Sequence, residues 1–190
     1  MRIFAKYMFV PFVVALGHAL ACARSPASGG APPLVAPADA VLRDASAEET
    51  LAARAARAPL TVLVFFGPDC PVQKAHDARL RELVATYGPR GVSFAAVVTA
   101  RSGEVTAPSM PVLEDERAAL ANALGVAYST HSIVLDRERR VLYSGAIDGD
   151  RTHLTPGAEP YLRNALEDAL AGRAVAKPRT EPLGCPLEKD

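Results

Sequence analysis

The sequence predicts an α/β fold around a central mixed or parallel sheet, and three stretches carry that prediction. Leu60-Thr61-Val62-Leu63-Val64-Phe65-Phe66 is an unbroken β-branched and aromatic run, the pattern of a strand buried on both faces. Val92-Ser93-Phe94-Ala95-Ala96-Val97-Val98-Thr99 is a second apolar strand. Between them Leu80, Leu83, Val84 and Tyr87 recur at helical spacing, so the order is strand, helix, strand.

At the start of the chain, Arg2 and Lys6 flank an apolar run from Tyr7 to Leu20, interrupted by Pro11 and His18, and small residues follow in Ala19-Leu20-Ala21-Cys22-Ala23. This is the three-part layout of an export signal, assigned to residues 1–22. The run is short for a permanent membrane helix, and no second apolar segment follows it. Cys22 after Ala19-Leu20-Ala21 resembles a lipobox, in which the cysteine is lipidated and becomes the mature first residue; the other reading is ordinary cleavage after Ala21 or Ala23. Both place the protein in the cell envelope or periplasm, touching a membrane only through a lipid anchor. Residues 23–41, with Ser25, Pro26, Gly29, Gly30, Pro32, Pro33 and Pro37, have the composition of a flexible linker.

The domain is expected over residues 42–172. Ser46-Ala47-Glu48-Glu49 is a capping-box pattern that predicts a helix from Ala47 to Arg57, stopped by Pro59. After the first buried strand, Pro71 suits a first helical position. Gly88, Pro89 and Gly91 end that helix. Arg101 to Met110 reads as loop, and Leu120 and Leu124 mark a short helix closed by Gly125. Ser132 to Asp136 and Val141 to Ser144 form a hairpin through a charged turn. Pro160 opens a last helix carrying Leu162, Leu166 and Leu170 on one face, with Gly172 at its end. Residues 173–190 hold Pro178, Pro182 and Pro186 and are expected to form an extended tail carrying Cys185.

The chain has 190 residues, enough for one domain once an export segment of roughly 20 residues is removed. Lys+Arg and Asp+Glu both number 21, and no basic run offers the electrostatic footprint of a nucleic-acid binder. Asp148 and Asp150 are spaced like the start of a calcium loop, but the required glycine and third ligand are missing before Glu159. No Gly-rich phosphate loop and no supported Ser-His-Asp pattern occurs.

The chemistry centres on Cys70. A strand running into Asp69-Cys70-Pro71 and then a helix places a thiol at a helix N-terminus, where free N–H groups and the dipole favour the thiolate. The neighbouring Asp69 charge works against this. If Cys22 is cleaved off or lipidated, Cys70 and Cys185 are the remaining free cysteines, and in an oxidising compartment a pair invites a disulfide. Such a bond is either a structural staple or the oxidised half of a redox cycle with Cys70 attacking and Cys185 resolving.

Phe65-Phe66-Gly67-Pro68-Asp69-Cys70-Pro71, with the element order, resembles the thioredoxin superfamily, and more narrowly its exported redoxin or peroxiredoxin-related branch. Leu183-Gly184-Cys185-Pro186 resembles a Gly-Cys ending of exported redoxin-like proteins. The resemblance covers Leu60 to Ala171. It implies a three-layer α/β/α sandwich with a central mixed β-sheet, no cofactor, and a reductant or oxidised protein thiols as partners. It also draws attention to Asp69 and Pro71 beside the nucleophile, and to Thr130, which takes the place of the family's cis-proline in a trans bond. His131 opens the strand that lies beside the nucleophile in the family.

Three departures qualify the implied activity. The second cysteine of a thioredoxin is replaced by Gln73, and the peroxiredoxin threonine and proline positions hold Gly67 and Leu63. Copper-binding members of the superfamily carry a second cysteine where Lys74 stands here. The main expectation is therefore a thiol-disulfide oxidoreductase using Cys70 and Cys185. The alternatives are a non-catalytic module, either disulfide-braced or binding copper through Cys70, His131 and Cys185, and a divergent thiol peroxidase.

Overall fold

In the computed structural model, residues 33–99, 105, 107 and 109–189 are described. The expected export signal and Cys22 lie outside them. Seven strands, β1 (Val41–Arg43), β2 (Glu48–Thr50), β3 (Leu60–Phe66), β4 (Val92–Val98), β5 (Val112–Asp115), β6 (Ser132–Asp136) and β7 (Val141–Gly145), form one sheet in the order β2-β1-β5-β4-β3-β6-β7. β4 runs parallel to β3 and β5, and the other pairings are antiparallel, so the sheet is mixed.

The period of two in β3 divides the core. Leu60, Val62, Val64 and Phe66 face a layer made by α2 (Pro71–Tyr87) and α4 (Tyr161–Leu170), together with Leu80, Leu83, Tyr87, Leu162 and Leu166. Leu63 and Phe65 face α1 (Leu51–Ala56) and α3 (Ala119–Ala123), against Leu51, Ala55, Leu120 and Ala121. Every residue of β3 is buried, as its unbroken apolar run requires. This is the expected three-layer sandwich with a mixed sheet. Among the described residues no helix is long and apolar enough to cross a membrane.

The structure departs from the sequence reading at two edges. Ser46 caps no helix. Asp44 Oδ1 instead accepts the Ser46 and Ala47 N–H groups, both at 2.7 Å, and turns the chain so that Glu48–Thr50 pairs with Val41–Arg43. The helix starts four residues later than expected, where Thr50 Oγ1 accepts Ala53 N–H at 3.2 Å. The end of the expected linker is also packed: Val35 bridges Arg140, Ala36 donates to the Arg139 carbonyl at 3.0 Å, and Ala36 is buried. The folded domain thus begins before residue 42.

Candidate thiol site

Cys70 lies where β3 hands the chain to α2. Gly67 N–H donates to Gln73 Oε1 at 3.2 Å, and Asp69 takes a left-handed backbone with φ of 49°, which turns the chain into the helix. Cys70 is the N-cap and Pro71 the first helical residue. The 17-residue helix has no acidic side chain in its first turn, so its positive end faces the Cys70 sulfur without an opposing charge from within α2. Asp69 points away into solvent, with Lys74 Nζ at 3.3 Å.

The sulfur is bonded to Cys185, 115 positions further along, with a Cα–Cα separation of 5.9 Å. The extended tail reaches it in two steps. First, residues 178–180 run alongside β7: Ser144 N–H donates to the Pro178 carbonyl at 3.0 Å and Thr180 N–H to the Ser144 carbonyl at 3.1 Å. Then the tail crosses the end of β3, where Ser129 N–H donates to the Cys185 carbonyl at 2.8 Å and Leu187 N–H to the Ala127 carbonyl at 3.0 Å. Two glycines permit these approaches. A Cβ on Gly145 would stand 2.1 Å from Thr180 Oγ1, and one on Gly184 would stand 1.7 Å from the Ser129 carbonyl oxygen.

Ser129 joins both cysteines. Its fully buried hydroxyl donates to Cys70 Sγ at 3.0 Å and accepts Cys185 N–H at 2.9 Å. Its loop is fixed to the sheet because Thr130 N–H donates to the Phe65 carbonyl at 2.7 Å and Phe65 N–H to the His131 carbonyl at 2.9 Å. Thr130 itself has φ of 58°, a left-handed backbone unusual for a β-branched residue. In the sequence Ser129 is marked only by its place in the Tyr128 to His131 loop and by the glycine just before Cys185.

His131 joins a different set of neighbours. Its Nε2 pairs with Ser144 Oγ at 2.8 Å, and it lines a cleft of about 500 Å³ with Leu124, Arg179, Thr180 and Glu181. Burial pushes its pKa down to about 4, and the Arg179 charge acts in the same direction, so the ring is neutral. Among the described residues no three His, Cys, Asp or Glu side chains converge as a metal site. The alternative ligand set of Cys70, His131 and Cys185 is therefore not assembled, because the two sulfurs are bonded to each other and His131 is engaged with Ser144.

A polar network that the sequence reading did not anticipate ties α2 to the segment after β7. His76 Nδ1 donates to the Val72 carbonyl at 2.8 Å, and His76 Nε2 meets Asp148 Oδ1 at 3.1 Å. Arg79 bonds Asp148, Asp150 and the Thr155 carbonyl. Burial disfavours the charged imidazole, but the hydrogen bonds to Asp148 and Val72 and the Asp148 charge outweigh it and raise the His76 pKa. The calcium-like aspartates thus anchor α2, the helix that Cys70 caps.

No protein-family model matches the chain, and no curated protein is similar to it. Solved structures are. A hypothetical protein of Sinorhizobium meliloti superposes with a TM-score of 0.69 at 25% identity, over 85% of this chain and 97% of that one. A Chlorobium tepidum protein with the proposed name thiol:disulfide interchange protein DsbE gives 0.57 at 19% identity, over 73% and 96%. A thioredoxin-like protein solved in its oxidised form gives 0.51 at 17%, over 74% and 96%. The chain has the thioredoxin fold. Cys70 stands at the start of α2, Gln73 lies in the first turn of the same helix, and the second sulfur arrives on the tail.

Proposed function

We propose that the protein is an exported, redoxin-like thiol-disulfide oxidoreductase in which Cys70 is the nucleophile and Cys185 the resolving thiol. The observation that carries this reading is the Cys70 to Cys185 bond at the N-terminus of α2, made by a tail that hydrogen-bonds through its backbone across the sheet end. In the reduced protein, the Cys70 thiolate attacks one sulfur of a partner disulfide; a Cys70–partner bond forms and the partner's other sulfur leaves as a thiolate. The Cys185 thiolate then attacks Cys70 Sγ, releasing the partner as a dithiol and closing the Cys70 to Cys185 bond. Two electrons pass from the protein to the partner, and an external reductant restores the dithiol. The helix N-terminus and the Ser129 hydroxyl both favour negative charge on Cys70. Neither sulfur step calls for a cofactor. The replacements at Gly67 and Leu63 leave the peroxide-binding pattern unmade, which favours disulfide partners over peroxides. Residues 1–22 are read as an export signal, with Cys22 the lipidation site that would hold the domain at a membrane in the cell envelope.

Thiol counting and mass spectrometry of residues 33–190 in the full chain across a glutathione series test the reading. A Cys70 to Cys185 couple that titrates between about −270 and −120 mV, the range of working oxidoreductases, supports it. A potential below about −300 mV shows a structural brace instead.

A further inference from the structure

The tail meets Ser129 in a way that defines what else could lie there. Only backbone atoms of the tail pair with the loop: the Cys185 carbonyl and N–H with Ser129, and the Leu187 N–H with Ala127. Those contacts place no demand on side chains. The residue before the cysteine is different, because the Ser129 carbonyl oxygen, carbonyl carbon and Oγ would lie 1.7, 2.5 and 2.8 Å from any Cβ there. The wall cannot retreat, since the next residue is hydrogen-bonded to β3 through Phe65.

Resting on the exchange reading above, we propose that the loop backbone at Ser129 sets a sequence preference at this site. It selects, as substrate, an extended protein segment whose disulfide-bonded cysteine follows a glycine, and the tail is a built-in competitor of the same form. The Ser129 hydroxyl receives the incoming cysteine's N–H while donating to Cys70 Sγ, as it does with Cys185. The Ser129 carbonyl rejects any side chain at the preceding residue. Leu187, packed beside Gly67, shows that an aliphatic residue two places after the cysteine is accepted.

The test uses the full chain carrying Cys22→Ser and Cys185→Ser, so that Cys70 is its lone thiol and a mixed disulfide accumulates. Two peptides, Leu-Gly-Cys-Pro-Leu and Leu-Ala-Cys-Pro-Leu, are each presented as the mixed disulfide with thionitrobenzoate. Cys70 attacks the peptide sulfur, the peptide–thionitrobenzoate bond breaks, and coloured thionitrobenzoate leaves; mass spectrometry confirms the adduct. The residual tail competes equally against both peptides, so the ratio of rates isolates the glycine. The glycine peptide should react on the order of 10- to 100-fold faster, the scale of one methyl group against an unyielding wall. With free glutathione as nucleophile the ratio should fall to about one. Ser129→Ala should slow both peptides and raise the Cys70 pKa while keeping the preference, because the carbonyl remains. Equal rates for the two peptides on this doubly substituted protein overturn the inference and leave the exchange reading standing. Failure of Cys70 to react with either peptide, or with the symmetrical thionitrobenzoate disulfide, overturns the exchange reading and this inference with it.

Discussion

Replacing Gly184 by alanine should make the Cys70 to Cys185 bond easier to reduce. The new Cβ would stand 1.7 Å from the Ser129 carbonyl oxygen, whereas real Cβ atoms essentially never come within 3.0 Å of another heavy atom. Tail and loop must therefore separate by more than an ångström. The loop is held by Thr130 N–H on the Phe65 carbonyl, so the tail is the part that lifts. Lifting breaks the 2.8 Å bond from Ser129 N–H to the Cys185 carbonyl and the 2.9 Å bond from Cys185 N–H to Ser129 Oγ. At about 1 kcal/mol net for each, the docked disulfide loses about 2 kcal/mol. For a two-electron couple that is a shift of about 40 mV toward a more oxidising potential. The shift appears in full when the reduced tail leaves its track, because the lost contacts then stabilise the disulfide form alone. A glutathione titration read by thiol trapping measures it, with Gly157→Ala, where a Cβ meets nothing within 4 Å, as the control. A Gly184→Ala potential within about 10 mV of the parent, or a shift the other way, would refute the argument.

Two further outcomes follow from other parts of the structure. The disulfide closes a loop over 115 positions, so its removal by Cys185→Ser should destabilise the domain by about 5 kcal/mol through the freedom restored to the unfolded chain. At a typical slope of about 2 kcal/mol per molar urea the unfolding midpoint should drop by about 2.5 M, and an unchanged midpoint would contradict the calculation. The His76–Asp148 pair should make stability depend on pH with a definite sign. A raised folded pKa means that the protonated imidazole's contribution is complete below about 6.5 and is lost as pH rises through the higher folded value. Urea midpoints between mildly acidic and mildly alkaline pH should therefore fall for the parent and stay flatter for Asp148→Asn, and an NMR titration of His76 with a midpoint below about 6.5 would oppose this assignment.

Much of the site's framework was legible in the sequence because it is local. The β3 run, the glycine and proline punctuation, and the periodic leucines of α2 and α4 each reside in one stretch of chain, and each formed as expected. Cys70 at the head of α2 follows directly from strand, turn and proline in succession. The short helix α3 and the hairpin of β6 and β7 also formed as expected, whereas the short strands β1, β2 and β5 were not legible. β5 holds Glu114 and Asp115 and has little strand character of its own, but it is completed by pairing with β4 on one side and β1 on the other. The helix expected from Ala47 lost to strand pairing for the same reason: the hairpin of β1 and β2 satisfies those backbone groups against a sheet edge that the local capping pattern cannot register.

What the sequence determined by itself is the α/β class, the buried central strand, the place of Cys70 at a helix N-terminus and the availability of a second cysteine, since each depends on neighbours within a few residues. What only the tertiary structure decided is that Cys185 reaches Cys70, that Ser129 stands between them, that His131 turns to Ser144 instead, and that His76 finds Asp148. Those four outcomes join residues 13 to 115 positions apart. They depend on how the sheet brings its ends together and on two glycines, Gly145 and Gly184, whose missing side chains leave just enough room for the tail to lie against the backbone it crosses.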